Sequence, residues 1–292
     1  HRFSIEWARI EPEEGKFDEK EIEHYREVIK ALRERGMEPF VTLWHWTLPL
    51  WVRYQGGWEN PKTVADFERY VRRVVAAFGR EVRFWMPLNE PSSYIGVSYV
   101  IGAWPPQVKS VRRANRVFRA LVEANRGAYR AIHQLVPAAK VGVGNYLTHN
   151  EAYGGYPWNR VLTAFVAYVR NWRFLNAFNG AQDFIGMQYY HHDVLNLKFG
   201  KGRWGPIETR NKNEWTSDMG WEIYPEGIYH LLKRVAVYNK PIYVTENGVA
   251  DSRDVHREKF IREHLRSVAS AIHEGVDVRG YLYWALLDNF EW

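Results

Sequence analysis

The chain has 292 residues, of which 46% are hydrophobic and 16% aromatic, and it contains no cysteine. This composition excludes a disulfide framework, thiolate catalysis and a cysteine-based zinc site, and it favours a cytoplasmic protein with a sizeable core. The net charge of +6 comes largely from arginines on predicted helix faces, which indicates a solvated surface rather than a nucleic-acid interface. No apolar run approaches the roughly 20 residues that cross a bilayer, so no membrane partner is predicted.

Short apolar runs alternate along the chain with long segments of helical period. Gly36 is placed to cap the first long helix, and Asn60 and Pro61 are placed to start the second. The predicted strands are residues 2–7, 39–45, 82–90, 140–145, 184–190, 242–246 and 278–286. The predicted helices are residues 18–35, 61–78, 115–135, 159–178, 225–238 and 257–274.

This alternation predicts an α/β protein with parallel strands and crossover helices. No linker, repeat or low-complexity tract divides residues 1–292, so one catalytic domain is expected. No Gly-x-Gly-x-x-Gly follows a strand, which weakens a dinucleotide-binding fold and leaves a (β/α)8 TIM barrel. Seven strands are visible where such a barrel needs eight. We therefore expect that strand 1 and the last helix are absent from this sequence, through truncation or in a reduced barrel.

Two of the predicted strands end on a glutamate, Glu90 in "PLNEP" and Glu246 in "YVTENG". Functional residues of a TIM barrel gather at these strand ends. Glycosidic bond cleavage needs two facing carboxyl groups, one protonated to release the leaving oxygen and one ionised to attack the sugar. Pro91 favours an extended conformation at Glu90. Strict alternation would place Asn89 and Glu90 on opposite faces, so a bulge or twist is predicted there.

Seven segments in consistent order, covering nearly the whole chain, carry a family resemblance. They are "RFSIEWARIEPEEG", "PFVTLWHWTLPLW", "GGWENPKTVADFERY", "LNEP", "DFIGMQYY", "YVTENGVAD" and "GYLYWALLDNFEW". In these segments the sequence resembles the glycoside hydrolase family 1 β-glycosidases, and among them it looks most like the archaeal-type branch. The resemblance implies a cofactor-free, retaining exo-β-glycosidase that acts on unphosphorylated β-glycosides by double displacement.

The resemblance also implies a role for each matching residue. Glu90 corresponds to the general acid/base and Glu246 to the nucleophile. Arg2 and Tyr190 match residues that hold the nucleophile, and Asn89 matches the amide that binds the sugar 2-hydroxyl. The expected substrate-binding residues are His45, Trp46, Gln188, Trp284, Glu291 and Trp292.

Two substitutions depart from the family pattern. Gln188 stands where an asparagine usually precedes the two tyrosines, and Thr47 replaces the usual aspartate after "HW". The spacing between the two glutamates is also shorter than usual. These differences predict altered sugar selectivity and a more open leaving-group side.

The carboxyl groups of Glu90 and Glu246 are expected about 5–5.5 Å apart, the retaining separation. The family resemblance further implies a cis peptide bond between Trp284 and Ala285.

Two other functions stay open: a predominantly transglycosylating enzyme, and a catalytically impaired sugar-binding barrel. The run "HHD", residues 191–193, offers metal-ligand types, but no further ligand follows at a sensible spacing, so no metal is expected. The expected partner is a small-molecule or oligosaccharide β-glycoside. An oligomer is possible.

Overall fold

The computed structural model describes residues 1–202, 205–287 and 289. The chain forms two compact units, one of His1–Asn145 with Phe174–Ile185 and one of Tyr146–Arg173 with Gly186–Trp292. The expected single catalytic domain stays a prediction. Among the helices of the described residues, none combines the length and the apolar character that a membrane crossing requires.

All seven predicted strands are present, and several are shorter than the apolar runs that predicted them. The strands are β1 (Arg2–Ser4), β2 (Phe40–Thr42), β3 (Phe84–Met86), β4 (Lys140–Tyr146), β5 (His149–Ala152), β6 (Phe184–Tyr189), β7 (His192–Gly202), β8 (Gly205–Arg210), β9 (Ile242–Asn247) and β10 (Val278–Tyr281). The three that were not predicted, β5, β7 and β8, form a separate small sheet.

The predicted helices are also present, with small shifts at their ends. The α-helices are α1 (Trp7–Ile10), α2 (Glu19–Glu34), α3 (Leu50–Tyr54), α4 (Lys62–Phe78), α5 (Pro91–Ile95), α6 (Val111–Leu135), α7 (Pro157–Ala167), α8 (Arg173–Phe178), α9 (Glu226–Val235) and α10 (Arg257–His273). A π-helical segment, Tyr168–Trp172, joins α7 to α8, so the predicted helix 159–178 is interrupted there.

Helix α2 shows how local signals define an element. The Asp18 side chain accepts hydrogen bonds from the backbone N–H groups of Lys20 and Glu21, which satisfies two donors that the first helical turn leaves free. Gly36 follows the helix with φ +69°, a left-handed conformation that favours glycine at a helix end.

The first unit contains a parallel ladder in which β1 pairs with β2, β2 with β3, and β3 with β4. Ser4, Thr42 and Met86, the last residues of the first three strands, are aligned in register, so these strands end at the same level. The buried Tyr70 hydroxyl on α4 lies 3.0 Å from the carbonyl oxygens of both Ile5 and Leu43, which share its one proton. This helix therefore holds the segments that follow β1 and β2.

The second unit contains two pieces of sheet. β9 pairs in parallel with β10. In the small sheet, β7 lies between β5, its parallel partner, and β8, its antiparallel partner.

Candidate active site

β3 ends at Met86, and Asn89 then forms an isolated bridge with Gly144, so the strand is interrupted before Glu90. The conformation of Glu90 itself differs from the expectation. Glu90 has φ 39° and ψ 57°, so the predicted extended conformation before Pro91 is wrong. Its N–H donates to the carbonyl of Gly144 at 2.8 Å, and its own carbonyl accepts from the N–H of Tyr94 at 3.1 Å. The left-handed φ allows one residue to connect the ladder to α5, which begins at Pro91.

Trp46 has a positive φ as well, of 81°. A left-handed conformation is unfavourable for side chains of this size, by an order of 1–3 kcal/mol each, and such residues cluster at functional sites. Trp46 and Glu90 occupy corresponding places, after β2 and after β3. The local strain therefore marks these two strand ends as a candidate site.

Asn89 connects three of the predicted site residues in the first unit. The Arg2 guanidinium donates from Nη2 to Asn89 Oδ1 at 2.6 Å, and this contact identifies the amide oxygen. Asn89 Nδ2 then faces His45 Nε2 at 2.9 Å, and Trp46 Nε1 donates to the Asn89 carbonyl at 2.9 Å. Arg2, His45, Trp46 and Asn89 are thus brought together as predicted, although their roles toward a sugar stay predictions.

The protonation of His45 follows from its surroundings. Burial, with a smaller contribution from the charge of Arg2, lowers the pKa of His45 to about 3, so the ring is neutral near pH 7. Because Nε2 accepts from the Asn89 amide, the single proton lies on Nδ1, which faces Ser4 Oγ at 3.1 Å. The ring is held in one tautomer and in one orientation.

In the second unit, Glu246 lies near the end of β9 with only 4% of its surface exposed. Gln188 Nε2 donates to Oε1 of Glu246 at 2.8 Å, and the Tyr190 hydroxyl donates to Oε2 at 2.5 Å. Each carboxylate oxygen therefore accepts a charge-assisted hydrogen bond, which orients the group. Tyr190 contacts Glu246 as expected. Gln188 was expected at the sugar, and that role stays a prediction; in the structure it contacts this carboxylate.

Asn247, to which the sequence assigned no role, fixes the end of β9. Its Nδ2 donates to the carbonyl of Tyr189 at 2.6 Å, and its Oδ1 accepts from the Tyr281 hydroxyl at 2.6 Å. The side chain is fully buried. Asn247 therefore connects the end of β9 to the ends of β6 and β10, directly beside Glu246. The Asn-Gly pair after a strand-ending glutamate was the available signal.

Gly248 and Trp284 are in close contact. A Cβ atom at Gly248 would lie 2.0 Å from the carbonyl oxygen of Trp284, so no side chain fits at this position. The peptide bond between Trp284 and Ala285 is cis, which confirms that prediction. The two remaining predicted sugar contacts, Glu291 and Trp292, lie outside the described residues.

Comparisons with known proteins agree on one family. The chain matches the family described as glycosyl hydrolase family 1 over residues 1–159 and 171–292. It is 33% identical to β-glucosidase A of Thermotoga maritima over all of this chain and 74% of that protein. It is 31% identical to the galactolipid galactosyltransferase SFR2 of Arabidopsis thaliana, over all of this chain and 49% of that protein.

The solved β-glycosidase from Pyrococcus horikoshii superimposes with a TM-score of 0.93 at 35% identity, over all of this chain and 72% of that chain. The fold is therefore that of a (β/α)8 TIM barrel, of which the chain contains part, as the strand and helix alternation predicted.

Proposed function

The chain belongs to glycosyl hydrolase family 1 and is a glycoside hydrolase, and we propose that it is a retaining exo-β-glycosidase acting on terminal, unphosphorylated β-glucosides or β-galactosides. The observation that carries the proposal is Glu246, a buried carboxylate whose two oxygens are held by Gln188 and Tyr190. A carboxylate held in one orientation suits a nucleophile better than a proton shuttle, which must exchange protons with water. The name of the β-glucosidase relative supports the substrate class.

In the first step, one carboxylate oxygen of Glu246 attacks the anomeric carbon. The bond from that carbon to the leaving oxygen breaks as the protonated Glu90 transfers its proton to the oxygen. The products of this step are the free aglycone, an ionised Glu90 and a glycosyl ester on Glu246.

In the second step, Glu90 accepts a proton from water while the water oxygen attacks the same carbon. The ester bond breaks, Glu246 leaves as a carboxylate, and the sugar is released with its original β configuration. The two inversions together give retention. The separation of about 5–5.5 Å between the two carboxyl groups remains a prediction of this mechanism.

We assign the remaining residues by their family counterparts. Asn89 binds the 2-hydroxyl, a contact that strengthens as positive charge develops on the sugar. We assign sugar binding to His45, Trp46, Trp284, Glu291 and Trp292, and support of the nucleophile to Arg2.

A panel of aryl β-glycosides tests the proposal. Turnover of a β-glucoside or β-galactoside with retention, lost in Glu246→Gln, is expected. The proposal fails if the intact protein turns over no member of the panel while still binding the free sugar, which is the behaviour of an impaired sugar-binding barrel. It also fails if Glu246→Gln leaves turnover unchanged.

Transglycosylation is the second candidate, because one relative bears the name of a galactosyltransferase. Here an alcohol replaces water in the second step, with Glu90 accepting the proton of the alcohol. The ratio of glycoside formed to sugar released, measured with an added alcohol acceptor, separates the two. A ratio well above one at low alcohol concentration favours the transferase.

A further inference from the structure

His149, Glu151 and His192 form a cluster in the second unit that glycoside cleavage does not use. β5 and β7 are parallel neighbours, and His149 lies directly opposite His192 in their register. Side chains alternate along a strand, so Glu151 projects from the same face of β5 as His149. The potential ligand atoms of the three side chains all lie within 4.8 Å of one another.

The distances in the cluster match a metal site better than a set of hydrogen bonds. His149 Nε2 and His192 Nε2 each lie 3.4 Å from the same oxygen, Oε1 of Glu151. Hydrogen bonds between these atom types are shorter, near about 2.9 Å. Around a tetrahedral zinc ion with bonds of about 2.0–2.1 Å, neighbouring ligand atoms are about 3.4 Å apart. Two edges of that tetrahedron are present.

His192 is oriented by a second carboxylate. Its Nδ1 lies 2.6 Å from Oε2 of Glu222, and both side chains are fully buried. Oε1 of Glu222 accepts from the backbone N–H groups of Lys212 and Asn213 at 2.9 and 2.8 Å, so this carboxylate is fixed. The Nδ1 proton is thereby held, and Nε2 points toward Glu151. A carboxylate that holds the outer nitrogen of a histidine is the usual second shell of a metal site.

The Nε2 atom of His192 is buried and has no hydrogen-bond partner within the described part of the chain. His192 is only 1% exposed, so bulk water does not satisfy this nitrogen. A buried nitrogen of this kind is unfavourable unless it receives a ligand.

The neighbouring members of the "HHD" run have other partners. His191 Nδ1 lies 2.7 Å from the Tyr146 hydroxyl, and Asp193 pairs with Arg170 at 2.6 Å. Only His192 of this run therefore joins the cluster, and its fellow ligands come from β5.

We propose that His149 and His192, through Nε2, and Glu151, through Oε1, bind one divalent transition-metal ion, with zinc as the preferred ion. Two imidazoles and one carboxylate are a donor set that zinc accepts, with water in the fourth position. The other oxygen of Glu151 is paired with Lys212, which leaves Oε1 directed at the histidines. The ion joins β5 to β7 and so stabilises the small sheet.

Ring stacking provides the control. His230 stacks on His149 with a centroid distance of 4.9 Å, but it contributes no ligand atom to the cluster. If the cluster only stacks rings, His230→Ala and His192→Ala are expected to affect zinc affinity equally. If it binds metal, His192→Ala removes a ligand and His230→Ala does not.

The experiment is a calorimetric titration of chelator-treated full-length protein with zinc chloride, with circular dichroism of each variant as a check of folding. One zinc per chain is expected for the wild type. Glu151→Gln, which keeps the shape of the side chain, and His192→Ala are expected to weaken binding at least about 100-fold, Glu222→Gln about 10–100-fold, and His230→Ala less than about threefold. The proposal is overturned if the wild type binds no stoichiometric zinc. It is equally overturned if folded Glu151→Gln binds zinc as the wild type does, or if His230→Ala weakens binding as much as His192→Ala.

Discussion

Gln188 Nε2 donates to Oε1 of Glu246 at 2.8 Å, which places a residue that departs from the family pattern directly on the candidate nucleophile. The sequence predicted a sugar contact for Gln188. The observed contact points to a role at the carboxylate, because a donor on a carboxylate controls both its orientation and its reactivity.

Gln188→Leu removes this donor and keeps most of the side-chain volume. A hydrogen bond to a charged group contributes about 1.5–3 kcal/mol, so kcat is expected to fall about 10–100-fold on an aryl β-glucoside, with a smaller change in KM. Tyr190→Phe, which removes the hydroxyl donor on Oε2, serves as the matched variant. If Gln188→Leu raises KM and leaves kcat unchanged, Gln188 contacts the sugar and does not support Glu246.

Glu90→Gln removes the proposed proton donor. Leaving groups that depart readily as anions need no proton, so the first step is expected to survive with a dinitrophenyl glycoside and to fail with an alkyl glycoside. The second step, which needs a base for water, is expected to be slow with both. Added azide, a nucleophile that needs no base, should restore turnover and yield a glycosyl azide. If Glu90→Gln loses turnover equally with every leaving group, and azide has no effect, Glu90 is not the acid/base.

Gly248→Ala introduces a Cβ atom where the Trp284 carbonyl oxygen lies 2.0 Å away. Either the strand end or the Trp284 segment must move, and overpacking of this kind costs typically about 1–3 kcal/mol of unfolding free energy. Gly180→Ala is the control, since a Cβ there meets no atom within 4 Å. Urea unfolding of both variants measures the difference. Equal unfolding free energies of Gly248→Ala and Gly180→Ala would show that the Trp284 segment moves aside at little cost.

His264→Phe tests the pH dependence of stability. Burial lowers the pKa of His264 to about 4, and the unfolded value is about 6.5. The folded state thus binds fewer protons than the unfolded state between these values. The contribution of the neutral His264 ring to the unfolding free energy is therefore fully present above pH 6.5 and is lost as the pH falls toward 4. At pH 5 the wild type is expected to lose about 2 kcal/mol through this group relative to pH 7.

The phenylalanine variant lacks the titrating ring, so its unfolding free energy is expected to change less between pH 7 and pH 5. The ring of His264 already stacks on Phe260 at 3.9 Å, and an aromatic replacement keeps that packing. The measurement is urea denaturation at the two pH values. The same loss in both proteins would assign the pH dependence to other groups.

The strands of the barrel were predictable because their signal is local. Buried runs such as β2 and β9 are rich in β-branched and aromatic residues, and the helices between them repeat at helical period. The small sheet was missed because β7 mixes polar residues, lysines and glycines, and its pairing with β5 joins segments that no local pattern connects. The left-handed conformation of Glu90 was missed because the neighbouring ladder and α5 override the local preference before Pro91.

The site residues at or near the ends of predicted strands could be predicted from the sequence. Glu246 lies near the end of β9 as predicted, whereas β3 ends at Met86 and Asn89 and Glu90 follow it in the connection to α5. The cluster of His149, Glu151 and His192 depends on the register between two strands that were not predicted. The local signals were the spacing "HNE" in residues 149–151, which places two ligand types on one strand face, and His192 in the run "HHD".

The central claim is that Glu246 forms a covalent bond to the sugar. A 2-deoxy-2-fluoro-β-glucoside with a dinitrophenyl leaving group tests it most directly, because fluorine slows both steps and the leaving group restores only the first. Mass spectrometry of the intact protein and of its peptides then locates the bound sugar. We predict one fluoroglucosyl group per chain, on the peptide that contains Glu246. Attachment to another carboxylate, or turnover with inversion of configuration and no adduct, would contradict the account.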